Sequence, residues 1–303
     1  MSTLLCFGFG YCATHFVGSF GDRFERIVGT VRGAEHAALL SARHAGRLKG
    51  LIFDGKSATA DVCDTIDAAD CVLISIPPDD NGDPVLAVFA NAFASAQRLR
   101  SIVYLSTVGV YGDHSGEWVD EETPPKPGSA RTLRRLSCER AWQRLGERCG
   151  VAVAILRLAG IYGPGQNALV QIARGTARRT LKPGQVFNHI HVADIAQAID
   201  AAFARRAAGI FNVGDDEPSP PGDPVVFAAQ LLGREPPPEV AFAQAASTMS
   251  PMALSFWQEC RRVRNAKLKR ELGVNLAYPT YREGLRALSE EAHRQSQSSA
   301  PGA

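Results

Sequence analysis

The stretch 2-STLLCFGFGYCATHF-16 joins an apolar run to a glycine-rich turn and then to a helix-like segment. The run reads as a buried strand. The turn 8-GFGYCA-13 fits G-x-G-x-x-G/A, in which Gly8 permits the tight turn, Gly10 lets the backbone approach a pyrophosphate, and small Ala13 allows the helix to pack closely. Phe9, Tyr11 and Cys12 fill the loop, whose backbone N–H groups then face the phosphate. Such a match is weak alone and strong between a strand and a helix at the start of a βαβ pattern.

The rest of the chain continues the pattern. The runs 26-RIVGTV-31, 50-GLIFD-54, 71-CVLISI-76, 101-SIVYLST-107 and 151-VAVAILRL-158 read as further parallel strands, and segments rich in Ala, Leu, Arg and Glu with helical spacing separate them. The strand 209-GIFNVG-214, preceded by an Ala-rich helix over 192–206, returns to the same sheet. The fold class expected is α/β, a doubly wound parallel sheet of the Rossmann type with a smaller C-terminal substrate-binding region. Residues 1–160 together with 190–214 form the dinucleotide-binding part. Residues 161–189 and 215–288, punctuated by 218-PSPPGDP-224 and 236-PPPEV-240, form a cap, and 289–303 reads as a disordered tail.

Composition bounds the function classes. With 303 residues, 45% hydrophobic and 21% charged content and a formal charge of +2, the chain has no field that calls for nucleic acid or an anionic membrane, so a small-molecule partner is expected. The seven cysteines are odd in number and scattered, with no C-x-x-C pair; neither a disulfide framework nor a metal site is indicated, and the reducing cytoplasm is the expected compartment. Neither a signal-peptide pattern nor an apolar run near the roughly 20 residues of a membrane span is found. The basic run 261-RRVRNAKLKR-270 reads as a solvated amphipathic helix.

The second strand ends in Thr30, Val31 and Arg32, without the acid that would hold the ribose hydroxyls of NAD(H). Arg32 can pair with a 2′-phosphate, which favours NADP(H) over NAD(H). Asp54 is placed to accept from an adenine amino group, and Ile76, Pro77 and Pro78 in 75-SIPP-78 shape a wall beside the adenosine.

The segment 105-LSTVGVYGD-113, followed in order by 156-LRLAGIYGPGQ-166, 190-IHVADIAQAI-199, 211-FNVGDD-216 and 278-YPTYREGL-285, resembles the extended short-chain dehydrogenase/reductase superfamily, the NAD-dependent epimerase/dehydratase group. The resemblance covers about residues 2 to 288. It implies that Thr107 hydrogen-bonds a substrate oxygen, and that a tyrosine and a lysine four residues on should begin the helix that carries Glu139. In 126-KPGSARTLRRLSCERAW-142 those positions are Arg131 and Arg135. This looks like an atypical subgroup that keeps the glycine loop without the tyrosine–lysine pair.

Guanidinium stays protonated at physiological pH, so Arg131 can bind or polarise but cannot act as the usual acid/base. Arg135 can still hydrogen-bond the nicotinamide ribose. A proton would come from water, from Tyr162 on the loop after the sixth strand, or from His191, whose alternative role is to fix the cap through Asp194. Arg157, Arg174, Arg178 and Arg179 could grip an anionic substrate. Two functions stay open: an NADP(H)-dependent oxidoreductase or epimerase-like enzyme on a small or nucleotide-linked substrate, and a catalytically silent dinucleotide-binding redox sensor. Related folds often form homodimers.

Overall fold

A computed structural model describes residues 2–43 and 46–298. Seven strands build the central sheet: β1 (Thr3–Phe7), β2 (Arg26–Val31), β3 (Leu48–Ile52), β4 (Cys71–Ile74), β5 (Ser101–Thr107), β6 (Ala152–Leu158) and β7 (Gly209–Val213). They lie in the order β7-β6-β5-β4-β1-β2-β3, and every neighbouring pair is parallel. The expected α/β fold with a parallel Rossmann-type sheet is therefore the observed one. Every residue of β1 is buried, as a strand covered on both faces requires.

The chain winds outward from β1 through β2 to β3, then returns to β4 on the other side of β1. In open parallel sheets this reversal leaves a crevice at the strands' carboxyl ends. One face of the sheet is covered by α1 (Tyr11–Phe20) and the helix Val192–Arg205; Phe16, Leu156, Ile195, Ile199 and Phe203 belong to this core. Across the sheet, α2 (Ala60–Ala68), α3 (Pro84–Ser95) and α4 (Ala130–Cys149) enclose Phe7, Ile66, Phe89, Phe93 and Trp142.

Local sequence explains the helix starts. Asp83 caps α3 by accepting from Val85 and Leu86 N–H, with Pro84 at the first helical position, and it also accepts from Trp142 Nε1 at 2.8 Å. One buried carboxylate thus ties α3 to α4. Ser129 and Thr132 form a reciprocal capping box at the start of α4, which fixes the orientation of the arginines that follow.

A separate core lies in the segments expected to form the cap, where Tyr162, Leu169, Ile172, Val225, Tyr281 and Leu285 meet. Three sequence readings are corrected here. The run 261–270 splits into the strand Arg262–Val263, paired with Trp118–Val119, and the helix Ala266–Leu272, because Val263 is drawn into a buried pair beneath the loop at 108–111. The last helix spans Tyr281–Ser298, so the expected disordered tail is helical as far as Ser298, anchored by Leu285 and Leu288 in the cap core; residues 299–303 lie outside the described residues. Leu268 and Leu272 join the core of the main sheet rather than that of the cap. Among the described residues no helix is long and apolar enough to cross a membrane, and no group of His, Cys, Asp and Glu is arranged to hold a metal ion.

Candidate active site

Two clefts open along the carboxyl edge of the sheet. The first, about 870 Å³, is lined by the segments that follow β1, β2, β3 and β4: Gly8 to Gly10, Thr30 to Gly33, Phe53 to Gly55, and Ser75 to Asp79. Gly8 adopts a left-handed φ of +83°, and an added Cβ would stand 2.8 Å from Ile76 Cγ1, so both backbone and space demand glycine. The loop is held by Gly8 N–H donating to Thr30 Oγ1 at 3.0 Å and Phe9 N–H donating to Thr30 O at 2.9 Å.

Gly10 is different. Its φ is an ordinary −99°, yet an added Cβ would meet nothing within 4 Å. It is the N-cap of α1 and offers no side chain to the first-turn N–H groups, so Tyr11, Cys12 and Ala13 contribute backbone donors to an open, electropositive helix end. Their side chains turn elsewhere. Tyr11 donates to Pro164 O at 3.1 Å, Cys12 is buried with its thiol pushed up to about 11, and Ala13 is packed in the core. An open glycine cradle, an uncapped helix start and a cleft of this size fit a dinucleotide.

Arg32, Asp54, Ile76, Pro77 and Pro78 all line this cleft. Arg32 is exposed, and among the described residues no carboxylate pairs with it. Asp54 accepts from Lys56 N–H at 2.9 Å and Ser57 N–H at 3.3 Å, and those bonds hold its carboxyl below its usual range. The lining also includes His36, which sequence reasoning missed because it lies beyond the strand end on the next helix.

The second cleft, about 480 Å³, lies at the ends of β5 and β6 and brings Thr107 and Arg131 together. Thr107 Oγ1 accepts from Gly109 N–H at 3.1 Å, which leaves its own hydrogen available. Arg131 lies over the Phe256 ring at 5.0 Å. Arg135 does not line this cleft. Its Nη1 donates to Tyr104 Oη at 3.0 Å and to Leu105 O at 3.1 Å, bracing α4 against β5.

Neither Tyr162 nor His191 is in the lining. Tyr162 is buried in the cap core, its hydroxyl 3.4 Å from Thr280 O; burial, reinforced by the nearby Asp215, pushes its phenol far above the ordinary range. His191 Nδ1 accepts from Ala193 N–H at 3.2 Å and its ring packs 4.0 Å from that of Tyr278. Burial, then the neighbouring His15, lowers it to about 4, so it is neutral at physiological pH. The cap link expected of His191 is made by Asp194 itself, which accepts from Ala277 and Tyr278 N–H at 2.7 and 3.1 Å.

Arg157 does not face a ligand either. Fully buried, it pairs with buried Glu139 at 2.7 Å beneath Tyr111, whose hydroxyl donates to Asn212 Oδ1 at 2.8 Å. Arg179 pairs with Glu239 at 3.0 Å, whereas Arg174 and Arg178 line a neighbouring cleft of about 640 Å³ in the cap.

Asp215, just beyond the last strand of the sheet, is 3% exposed, with Oδ2 unpartnered and Oδ1 accepting from Glu217 N–H. Burial, with the charge of Asp216 added, pushes its carboxyl up to about 8. The folded state therefore binds this proton more tightly than the unfolded chain does. Its stabilising contribution is complete below about pH 4 and is lost as pH rises towards 8, at up to about 1.4 kcal/mol per pH unit. Asp215→Asn should thus gain melting temperature over the wild type progressively from pH 4 to pH 8 in paired thermal melts; a difference independent of pH would refute the assignment.

Comparison with known proteins places the geometry. Residues 85–214 match the model of the NAD dependent epimerase/dehydratase family. The protein YeeZ of Escherichia coli (strain K12) is 34% identical over 193 residues, covering 58% of this chain and 66% of that protein. A Streptomyces sp 3-diazoavenalumate denitrifying reductase is 30% identical over 182 residues, covering 55% and 58%. The matches therefore span less than two thirds of the length of these curated relatives. A functionally unknown conserved protein from Silicibacter pomeroyi DSS superposes with a TM-score of 0.85 at 43% identity, covering 96% of this chain and 99% of that one. The dTDP-glucose 4,6-dehydratase of Bacillus anthracis str. Ames, solved in complex with NAD, shares the fold at a TM-score of 0.75 and 17% identity over 98% of both chains. Residues 85–214, which carry the Thr107 segment and the motifs up to 211-FNVG-214, thus match the NAD dependent epimerase/dehydratase family, and the whole chain, with its parallel sheet and glycine loop, shares the fold of solved dehydratases.

Proposed function

We propose that the protein is an NADP(H)-dependent oxidoreductase acting on a small substrate held between Thr107 and Arg131. The observation that carries this reading is Thr107 at the carboxyl end of β5, its hydroxyl hydrogen uncommitted, in a cleft beside the one that fits a dinucleotide. Gly10 and the first-turn N–H groups of α1 would hold the pyrophosphate, Arg32 the 2′-phosphate, and Asp54 with Pro77 and Pro78 the adenosine side. A bound nicotinamide supplies or accepts a hydride.

The chain's own contribution is positioning and polarisation. Thr107 donates to the substrate oxygen at which charge changes, and Arg131 supplies a fixed cation. The buried phenol of Tyr162 and neutral His191, both outside this cleft, leave water as the proton source. The name of the Streptomyces relative, a reductase, supports reduction as the direction.

NADPH should bind roughly tenfold tighter than NADH in a fluorescence titration, and Arg32→Ala should remove that preference while sparing NADH. Thr107→Ala should lower turnover by roughly 100-fold or more while leaving NADPH affinity within about twofold. Binding of NADPH with no turnover on any carbonyl or aryl substrate would instead favour the silent redox sensor, and equal binding of the two dinucleotides would remove the NADP(H) assignment.

A further inference from the structure

We infer that the Thr107 cleft is built for a planar aromatic monocarboxylate, with its ring against the aromatic wall lined by Phe187, Phe256 and Trp257 and its carboxylate on Arg131. This rests on the oxidoreductase reading for where the reaction occurs, but not for what the cleft binds.

The walls come first. Leu158, Val186 and Phe187 line the cleft together with Phe256 and Trp257. Phe256 is 45% exposed, a large aromatic ring that the fold leaves uncovered on the helix Pro251–Trp257. Trp257 is held in place, edge to face with Phe187 at 5.2 Å and stacked on Phe242 at 5.3 Å. Rigid aromatic walls recognise a flat apolar body.

The polar groups in the lining are mostly spent on the protein. Asn188 donates to Arg261 O at 3.0 Å and accepts from Val263 N–H at 2.8 Å. His189 shares a hydrogen bond with Ser219 Oγ at 3.1 Å, and burial lowers it to about 4, so it carries no charge at neutral pH. Arg261 donates to Gly112 O at 2.6 Å and is neutralised by Glu259 at 2.8 Å, both side chains being nearly buried. A sugar, with a hydroxyl on almost every carbon, would find few partners here and would leave its own groups unpaired.

The side-chain groups that remain for a ligand are the Thr107 hydroxyl, Arg131 and the Nε of Arg261, a buried donor with no partner that adds a hydrogen bond but no net charge beside Glu259. Among the described residues no carboxylate pairs with Arg131, which lies over the face of Phe256. The guanidinium edge is thereby left free, in a geometry suited to a bidentate carboxylate. With Arg261 compensated and His189 neutral, the cleft presents one uncompensated positive charge, which matches a monoanion rather than a diphosphate.

Isothermal titration of the full chain, with and without NADPH, with 4-hydroxycinnamate, its methyl ester and UDP tests the inference. The acid should bind at least about fivefold tighter than the ester, and Arg131→Gln should abolish that difference while leaving ester affinity unchanged. Equal binding of acid and ester, tighter binding of UDP than of the acid, or no binding of either aryl compound would overturn it. NADPH binding is read in the same series: its absence sinks the oxidoreductase reading alone, whereas NADPH binding without the acid sinks the aromatic-acid inference alone.

Discussion

Replacing Glu139 by leucine should destabilise the fold by about 3–5 kcal/mol, because it strands the Arg157 guanidinium in the interior without a counter-ion. Both residues are 1% exposed. Arg157 donates Nη2 to Glu139 Oε2 at 2.7 Å and Nε to both carboxylate oxygens at 3.2 Å, and Ser106 Oγ donates to Oε1. The pair links α4 to β5 and β6 directly below the loop that presents Thr107.

At about 2–4 °C per kcal/mol for domains of moderate size, the loss is on the order of 10 °C in melting temperature. The double variant Glu139→Leu with Arg157→Met should recover most of it, since replacing both charges removes the desolvation cost along with the attraction. A double variant no more stable than Glu139→Leu alone would show that packing volume, not the stranded charge, sets the loss. Arg157 was one of the sequence's candidates for gripping an anionic ligand. Only the tertiary fold shows that Glu139, a turn beyond Arg135 on α4, claims it.

The sheet was legible because parallel strands buried on both faces read as continuous apolar runs; the edge strand β3, with Lys49 and Ile52 exposed, reads less clearly, and it lies at Leu48–Ile52 rather than at 50–54. The first cleft was legible for the same reason: its residues follow the strand ends, where topology puts ligands. The second cleft was half legible. Thr107 ends a strand and Arg131 starts a capped helix, so both could be placed by counting. Phe187, Phe256 and Trp257 could not, because their meeting depends on how the helix Pro251–Trp257 packs on the segment before His189, a long-range contact with no periodic signal. The aromatic pair in 255-SFWQE-259, with an acid two residues before Arg261, was the one local hint.

Tyr162 and His191 show the opposite error. Both sit in motifs beside strand ends, yet Tyr162 is drawn into the cap core and the N-terminus of the helix Val192–Arg205 takes up His191 Nδ1, its Nε2 being buried without a partner. The arginines 131 and 135 diverge for a geometric reason. They share one face of α4 but stand about 6 Å apart along its axis, so the first reaches Phe256 at the cleft and the second lies against β5.

The glycine loop carries the whole account, and Gly10→Asp tests it most directly. The backbone there is extended, an added Cβ meets nothing within 4 Å, and aspartate is a favoured N-cap, so α1 should be as stable as before or more so. The new carboxylate would, however, accept the first-turn N–H groups and stand where the pyrophosphate belongs, repelling it. The measurement is NADPH fluorescence titration of the wild type and Gly10→Asp alongside thermal melts of both. The expected result is saturable binding by the wild type, weakened by more than about 100-fold in the variant, at an unchanged or higher melting temperature. Equal NADPH affinity in two equally stable proteins would contradict the cradle at Gly10, and with it the dinucleotide site on which the proposed chemistry depends.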